Sequence, residues 1–179
     1  MKIILISGKA HHGKDTLAEM LNQDLKLAEK RVIIAHYGDL LKYVCKTFYN
    51  WDGNKDEDGR HLLQHVGTDI VRNHDPDYWC DFLTYWAHII ENDYDFMIIP
   101  DVRFQNEINA FKNFNTTTIR VVRQGSDVNT LIDEAASNHV SETALDAYDN
   151  WDYTIVNTSG DMGRFRNSAY LLSKELIEE

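Results

Sequence analysis

Five short runs of apolar, β-favouring residues punctuate this chain: Lys2 to Ser7, Arg31 to His36, Phe96 to Pro100, Thr117 to Val122 and Tyr153 to Asn157. Their apolar residues run on rather than alternate, which suits strands covered on both faces of a parallel sheet. Between the first two runs, Leu17, Leu21, Leu25 and Ala28 recur at helical spacing. Near the C-terminus Phe165, Ala169, Leu172 and Leu176 do the same, behind Ser and Gly residues that signal a helix start. Strand and helix in alternation predict a three-layer α/β fold with a five-stranded parallel sheet and right-handed crossovers. The stretch from Tyr37 to Asp95 is too long for one crossover helix. We read 1–179 as one domain, with a core at 1–36 and 96–179 and a helical insert at about 37–95. Ligands of such sheets sit beyond the carboxyl ends of the strands. One rim then carries the residues after Ser7, after His36, around Asp101 and after Val122.

The first of these rim segments reads Gly8-Lys9-Ala10-His11-His12-Gly13-Lys14-Asp15-Thr16, between an apolar strand and an amphipathic helix. Gly-x-x-x-x-Gly-Lys in that setting is a phosphate-binding pattern. Phosphate oxygens must meet several backbone N–H groups at once, and glycines let the chain curl tightly enough to supply them. The helix N-terminus behind the loop adds donors and a positive dipole end. Lys14 reaches the outer phosphates, and Thr16 is placed for the inner one. Asp15 stands where Ser or Thr usually puts a hydroxyl on Mg²⁺; a carboxylate can hold that ion directly or through water. His11 and His12 occupy the variable positions and are expected to supply only backbone N–H groups.

Composition narrows the classes. A 179-residue chain with 43% hydrophobic and 11% aromatic residues is long and apolar enough for one full-sized core. A net charge of −11 argues against a nucleic-acid or anionic-membrane surface. Positive charge for a phosphate ligand must then be local, which adds weight to each well-placed Arg or Lys. Cys45 and Cys80 are far apart and unpaired in pattern, and no signal peptide or spanning segment is legible, so a reducing cytoplasm is the expected setting.

Pro100-Asp101-Val102-Arg103 closes the third apolar run. Asp101 there is placed to orient Mg²⁺ or its waters, and Arg103 offers a fork for phosphate. Glu107, four residues on, reads as the salt-bridge partner of Arg103. In the insert, Gln64, Thr68 and Arg72 fall at i, i+4 and i+8 on one helix face, followed by Tyr78-Trp79. An amide, a hydroxyl and a guanidinium so aligned can read a base and bind its phosphate, and Trp79 can stack on the base; a solvent-facing helix would have the same look. Lys42, after the second run, is a further candidate for phosphate, with an ordinary surface lysine as the alternative. Arg120 lies inside an apolar run and needs a partner or an exit to solvent. Arg123 precedes a polar segment, about 124–142, that reads as a lid closing over phosphates. His61 and His65 lack a third metal ligand, Asp52 to Leu63 departs from a calcium loop at its sixth and twelfth positions, and Ser141 with His139 makes no nucleophile.

Taken together these strings resemble the phage-type deoxynucleoside monophosphate kinases, within the P-loop nucleoside monophosphate kinases. The resemblance rests on Ser7-Gly8 with Gly13-Lys14-Asp15-Thr16, Gly67-Thr68-Asp69 with Val71-Arg72, Tyr78-Trp79, Ile98 to Arg103, Val121-Val122-Arg123, and Val156-Asn157 with Gly160. It implies Mg²⁺-dependent transfer of the ATP γ-phosphate to a deoxynucleoside monophosphate. Gly8, His11, His12, Gly13, Lys14, Asp15 and Thr16 would hold ATP, with Asp15 and Asp101 toward the metal. Lys42, Gln64, Thr68, Arg72, Trp79 and Arg103 would contact the acceptor, and Lys14, Arg103 and Arg123 would serve the transfer. The implied partners are ATP and a nucleoside monophosphate, not nucleic acid or membrane; a homodimer is compatible with the pattern. Animal-type phosphomevalonate kinases share Gly-Lys-Asp-Thr, a strand-end Asp-x-Arg and a Ser-Glu segment like Ser141-Glu142. A kinase for a non-nucleotide phosphate, or a nucleotide-binding regulator without activity, therefore stands beside the first reading.

Overall fold

The computed structural model describes residues 1–125 and 140–178. The lid-like segment expected at about 124–142 lies outside them except at its two ends, as does His139. The described chain contains β1 (Lys2–Ser7), α1 (Lys14–Leu27), β2 (Val32–Ile34), α2 (Tyr37–Phe48) and α3 (Glu57–Gln64). A π-helix (His65–Arg72), α4 (Tyr78–Ile90), β3 (Phe96–Val102) and α5 (Gln105–Ala110) follow. Then come β4 (Asn115–Gln124), α6 (Val140–Thr143), β5 (Tyr153–Thr158) and α7 (Met162–Glu178). All strand pairs are parallel, in the order β2-β3-β1-β4-β5.

The continuous apolar runs have a direct cause in this sheet. Ile4 and Ile6 of β1 pack with Leu17, Leu21 and Leu25 of α1 and Phe165, Ala169, Leu172 and Leu176 of α7 on one face. Ile3 and Leu5 pack on the other, with Trp79, Leu83, Ala87 and Ile90 of α4 and with Ile108 and Phe111. Successive residues of one strand therefore serve two cores, and neither face carries the polar alternation of a solvated sheet. A third small cluster of Cys45, Trp51 and Val66 holds the insert together. No helix among the described residues is long and apolar enough to cross a membrane.

Strand existence and direction agree with the sequence reading; some bounds do not. The second strand shrinks from six expected residues to Val32–Ile34; Ala35 still gives its amide to the Ile98 carbonyl at 3.0 Å, and His36, extended, is already the N-cap of α2. The fourth lengthens to Gln124, so the last residues before the expected lid are sheet. The insert is helical as expected, but its middle is a π-helix rather than an α-helix. Gly67 lies in it, where an added Cβ would come 2.6 Å from Cδ2 of Leu41, so the absent side chain lets this helix press onto α2. From β1 the chain crosses to β2 on one side of the sheet, whereas from β3 it crosses over β1 to β4 on the other. The crevice opens where those connections diverge, at the carboxyl ends of β1 and β3.

Candidate active site

The loop after β1 is held in shape by contacts of unusual closeness. A Cβ on Gly8 would stand 2.5 Å from the carbonyl oxygen of Val121, so only glycine lets the loop leave the sheet against β4. Gly13 adopts φ 99°, a left-handed conformation that aims the amides of Lys14 and its successors along the start of α1. Its Cβ position is 2.7 Å from Nδ2 of Asn157, and that amide donates to the His12 carbonyl at 3.0 Å. Asn157, buried at the end of β5, thereby pins the loop from beneath.

His12 departs from the expectation that it supplies only its backbone. The imidazole is buried, with Nδ1 3.2 Å from the Val121 carbonyl and 3.3 Å from the Arg123 amide. It takes the place of the next β1 residue beside β4 once β1 has turned away. Burial lowers its pKa, so the ring is neutral and its tautomer decides which of the two groups it satisfies. Gly8 and His12 stand behind the loop rather than on the cleft wall.

The remaining loop residues face a cleft of about 900 Å³ that runs from the phosphate loop to the insert. Lys9, Lys14, Lys42, Lys55, Arg60, Arg72, Arg103 and Arg123 line it, against the carboxylates of Asp15, Asp101, Glu107 and Glu142. Among the described residues eight cations face four anions, so this lining is locally positive in a chain whose net charge is −11. His11, Gly13, Asp15, Thr16, Gln64, Thr68 and Trp79 of the expected set also line it. Two sequence stretches some fifty residues apart are thus brought to one cavity, phosphate loop at one end and donor-bearing insert at the other.

Lys14 is buried and donates from Nζ to the Lys9 carbonyl at 2.9 Å. Burial, reinforced by the nearby Arg103 charge, lowers its pKa to about 8. Asp15 is largely exposed, and its pKa is lowered first by the neighbouring His36 imidazole, whose Nε2 lies 3.9 Å from its carboxylate. The same contact raises the His36 pKa. His36 also caps α2 reciprocally with Asp39, so it ties the starts of α1 and α2 together. Asp101 accepts the amides of Tyr37 at 3.0 Å and Gly38 at 2.9 Å, which anchors the beginning of the insert to the end of β3. Lys42 lies beside it on α2, paired with Asp39 at 2.8 Å. Among the described residues no group of three or more His, Cys, Asp or Glu forms a metal cage. A Mg²⁺ ion carried with phosphates and waters needs only one or two carboxylates, and the oxygen donors of Asp15 and Asp101 suit it.

The acidic partners are arranged differently from the sequence reading. Glu107 does not pair with the side chain of Arg103. Its carboxylate accepts the amides of Arg103 at 2.6 Å and Phe104 at 3.0 Å, and it is ion-paired with Arg72 of the π-helix. The short α5 turns Glu107 back onto its own N-terminus, where one oxygen takes the N-cap amide of Phe104, which leaves its other oxygen to the insert. Burial pushes this carboxyl up to about 7, with Arg72 and the two amides acting against it. Arg72 also stacks on the Phe104 ring at 4.2 Å. Arg103 is ion-paired instead with Glu142 of α6.

Trp79 is the other correction. Only 3% exposed, it gives its indole N–H to the Gly67 carbonyl at 3.0 Å. It is a buried strut beneath the π-helix rather than an open ring for stacking. Arg120 finds its partners in Ser7 Oγ at 3.2 Å and Asp146 at 3.4 Å. Arg123 leaves β4 toward the loop, its Nη1 3.4 Å from the His11 carbonyl. Sequence reasoning passed over Phe104 although it directly follows Arg103, and noted Glu142 only within the Ser141-Glu142 segment, since no local signal ties it to Arg103 or to the loop. Lys55 sits in an acidic turn and Arg60 early in α3, where nothing in the sequence distinguishes them from surface residues.

With this geometry in hand, comparison with known proteins is specific. A family model described as deoxynucleotide monophosphate kinase matches residues 40–167. A deoxynucleotide monophosphate kinase of Enterobacteria phage T4 is 35% identical over 100 residues, covering 55% of this chain and 38% of that protein. One from Escherichia phage RB69 is 32% identical over 88 residues, covering 48% and 33% respectively. The matched segment thus spans only about a third of either relative. An APS kinase structure from Mycobacterium tuberculosis superimposes over 99% of this chain and 97% of its own, with a TM-score of 0.53 and 9% identity, a likeness of fold alone.

Proposed function

The chain belongs to the deoxynucleotide monophosphate kinase family, and from that premise we propose that it transfers the γ-phosphate of ATP to a deoxynucleoside monophosphate. One observation carries the reading: a single locally positive cleft joins a phosphate loop to a donor-rich insert. Such a cleft can hold two anions end to end, which is what in-line transfer between phosphates requires.

In this reading the amides around Gly13 and the ammonium of Lys14 hold the triphosphate. Thr16 lies near its inner phosphate. Mg²⁺ would be held toward Asp15 and Asp101, and when bound it neutralises phosphate charge. Lys42, Gln64, Thr68 and Arg72 face the acceptor, with Trp79 supporting the helix that carries two of them. Arg103 stands between donor and acceptor, and Arg123 approaches from the loop side. No side chain has to remove a proton, because the attacking phosphate oxygen is already ionised at neutral pH. The protein's work is to align the anions, offset their charge and keep water away from the γ-phosphate.

A coupled ADP-release assay with ATP, Mg²⁺ and each deoxynucleoside monophosphate in turn tests this, with phosphomevalonate as the contrasting acceptor. Turnover that depends on at least one deoxynucleotide is the expected result. Turnover with phosphomevalonate alone, or none with any acceptor while ATP still binds, would overturn it.

A further inference from the structure

Glu142 has no part in the phosphate-loop pattern and no assigned role in the transfer just described. It lies in the sequence 132 residues beyond Ala10, yet its Oε2 accepts the Ala10 amide at 3.0 Å. Its Oε1 is ion-paired with Nη1 of Arg103, and the same nitrogen donates to the Ser141 carbonyl at 3.2 Å. The Glu142 side chain is 11% exposed, so the bridge is largely shielded from water. Asp146, further along the same segment, pairs with Lys9 of the loop at 2.9 Å, so the segment grips the loop twice. The charges are matched as well as the geometry. Arg103 is the strongest charge acting against the ammonium of Lys14, and Glu142 the strongest acting for it. A guanidinium set this close to the phosphate-loop lysine needs a fixed anion to stay in place, and a charge-assisted hydrogen bond is the strong way to supply one.

We propose that Glu142 is a positioning residue for phosphoryl transfer, its carboxylate bridging the Ala10 amide and the Arg103 guanidinium so that Arg103 stands over the outer end of the phosphate loop. The proposal rests on the kinase reading above. Displacing a positioned group by about 1 Å can cost a hundredfold in rate, which sets the scale of the effect.

Glu142→Gln keeps the shape and an acceptor for the Ala10 amide but cannot pair with Arg103. Glu142→Asp keeps the charge on a shorter stem. Both are made alone and in an Arg103→Lys background, with kcat measured on the deoxynucleotide the wild type uses best and ADP affinity measured by calorimetry. Glu142→Gln is expected to lower kcat by about 10- to 100-fold with ADP affinity within about threefold, and Glu142→Asp to recover part of the loss. In the Arg103→Lys background the Gln change should cost less than about threefold more, since its effect runs through Arg103. Unchanged kcat in Glu142→Gln, or its full loss repeated in the double variant, would overturn the proposal. So would tighter ADP binding at unaltered kcat, which would make the carboxylate a mere competitor of phosphate. Should Glu142→Gln not fold, the same comparison on Glu142→Asp decides. A wild type that binds ADP yet phosphorylates no deoxynucleotide fails at the kinase reading instead, before any variant is compared.

Discussion

Raising the pH above about 8 should weaken ATP capture before it slows transfer. Lys14 is only 8% exposed, and burial together with Arg103 lowers its pKa from 10.5 to about 8. At about 1.4 kcal/mol for each tenfold change, that drop disfavours the charged form by about 3.4 kcal/mol. Bound polyphosphate restores the missing negative partner and keeps the ammonium protonated, so the bound enzyme should not share the shift. In the free protein the protonated fraction falls about tenfold for each pH unit beyond about 8. The sign for folding is the reverse of a stabilising ion pair. Between about 8 and 10.5 the folded chain binds fewer protons than the unfolded chain, so the penalty of burying Lys14 is full below that window and lifts as the pH rises through it. The assay is kcat/KM for ATP and kcat, each measured from about pH 6.5 to 10 at saturating acceptor, because the first reports the free enzyme and the second the bound one. The expected profile has kcat/KM bending near pH 8 while kcat stays level for about one pH unit more. A flat kcat/KM up to pH 10 would refute the account of Lys14 as a buried cation waiting for phosphate, and a simultaneous bend in kcat would assign the titration to another group.

Glu107→Gln should raise the acceptor KM by roughly tenfold through Arg72 while the ATP KM moves little, on the scale of a lost charge-assisted bond; equal changes in both constants would refute the assignment. The same variant should lose a pH dependence of stability: the folded carboxyl at about 7 holds protons that the unfolded one releases from about 4.5, so wild-type stability falls as pH rises across that window, as urea unfolding at each end would show. Gly13→Ala combines a left-handed φ of 99° with a Cβ 2.7 Å from Asn157 Nδ2, and is expected to abolish ADP binding in calorimetry and to cost about 1–3 kcal/mol of stability; wild-type ADP affinity would contradict the loop geometry. Leu21→Ala, at a fully buried position between α1 and the sheet, should lower stability by about 2–5 kcal/mol in urea while leaving both KM values within about twofold, and a large KM change would contradict the separation of that core from the site.

Much of this molecule was determined by local order along the chain. Two-sided burial requires uninterrupted apolar strands, so the runs at Ile3 to Ile6 and Phe96 to Ile99 declared a covered parallel sheet without reference to anything distant. The phosphate loop was equally legible, because its chemistry depends on glycines and a lysine at fixed spacing, and Gly13 and Lys14 carry it within nine residues. Clustering of cations opposite that loop could be expected from the rim rule, and Arg72, Arg103 and Arg123 do meet there.

Which acid serves which base was decided only by the tertiary structure. Spacing of four offered Glu107 to Arg103, but a buried carboxylate goes where the largest number of donors converge, and the backbone amides at the start of its own helix and Arg72 supplied them. Arg103 was left for Glu142, far along the chain, and no local pattern encodes a contact between residues 39 apart. His12 and Trp79 show the same limit from the other side. A histidine in a variable loop position and a tryptophan near an exposed helix look like surface groups until the sheet and the π-helix close over them and take up their ring nitrogens. Periodicity reports which faces are covered; the identity of the covering partner is a property of three-dimensional packing.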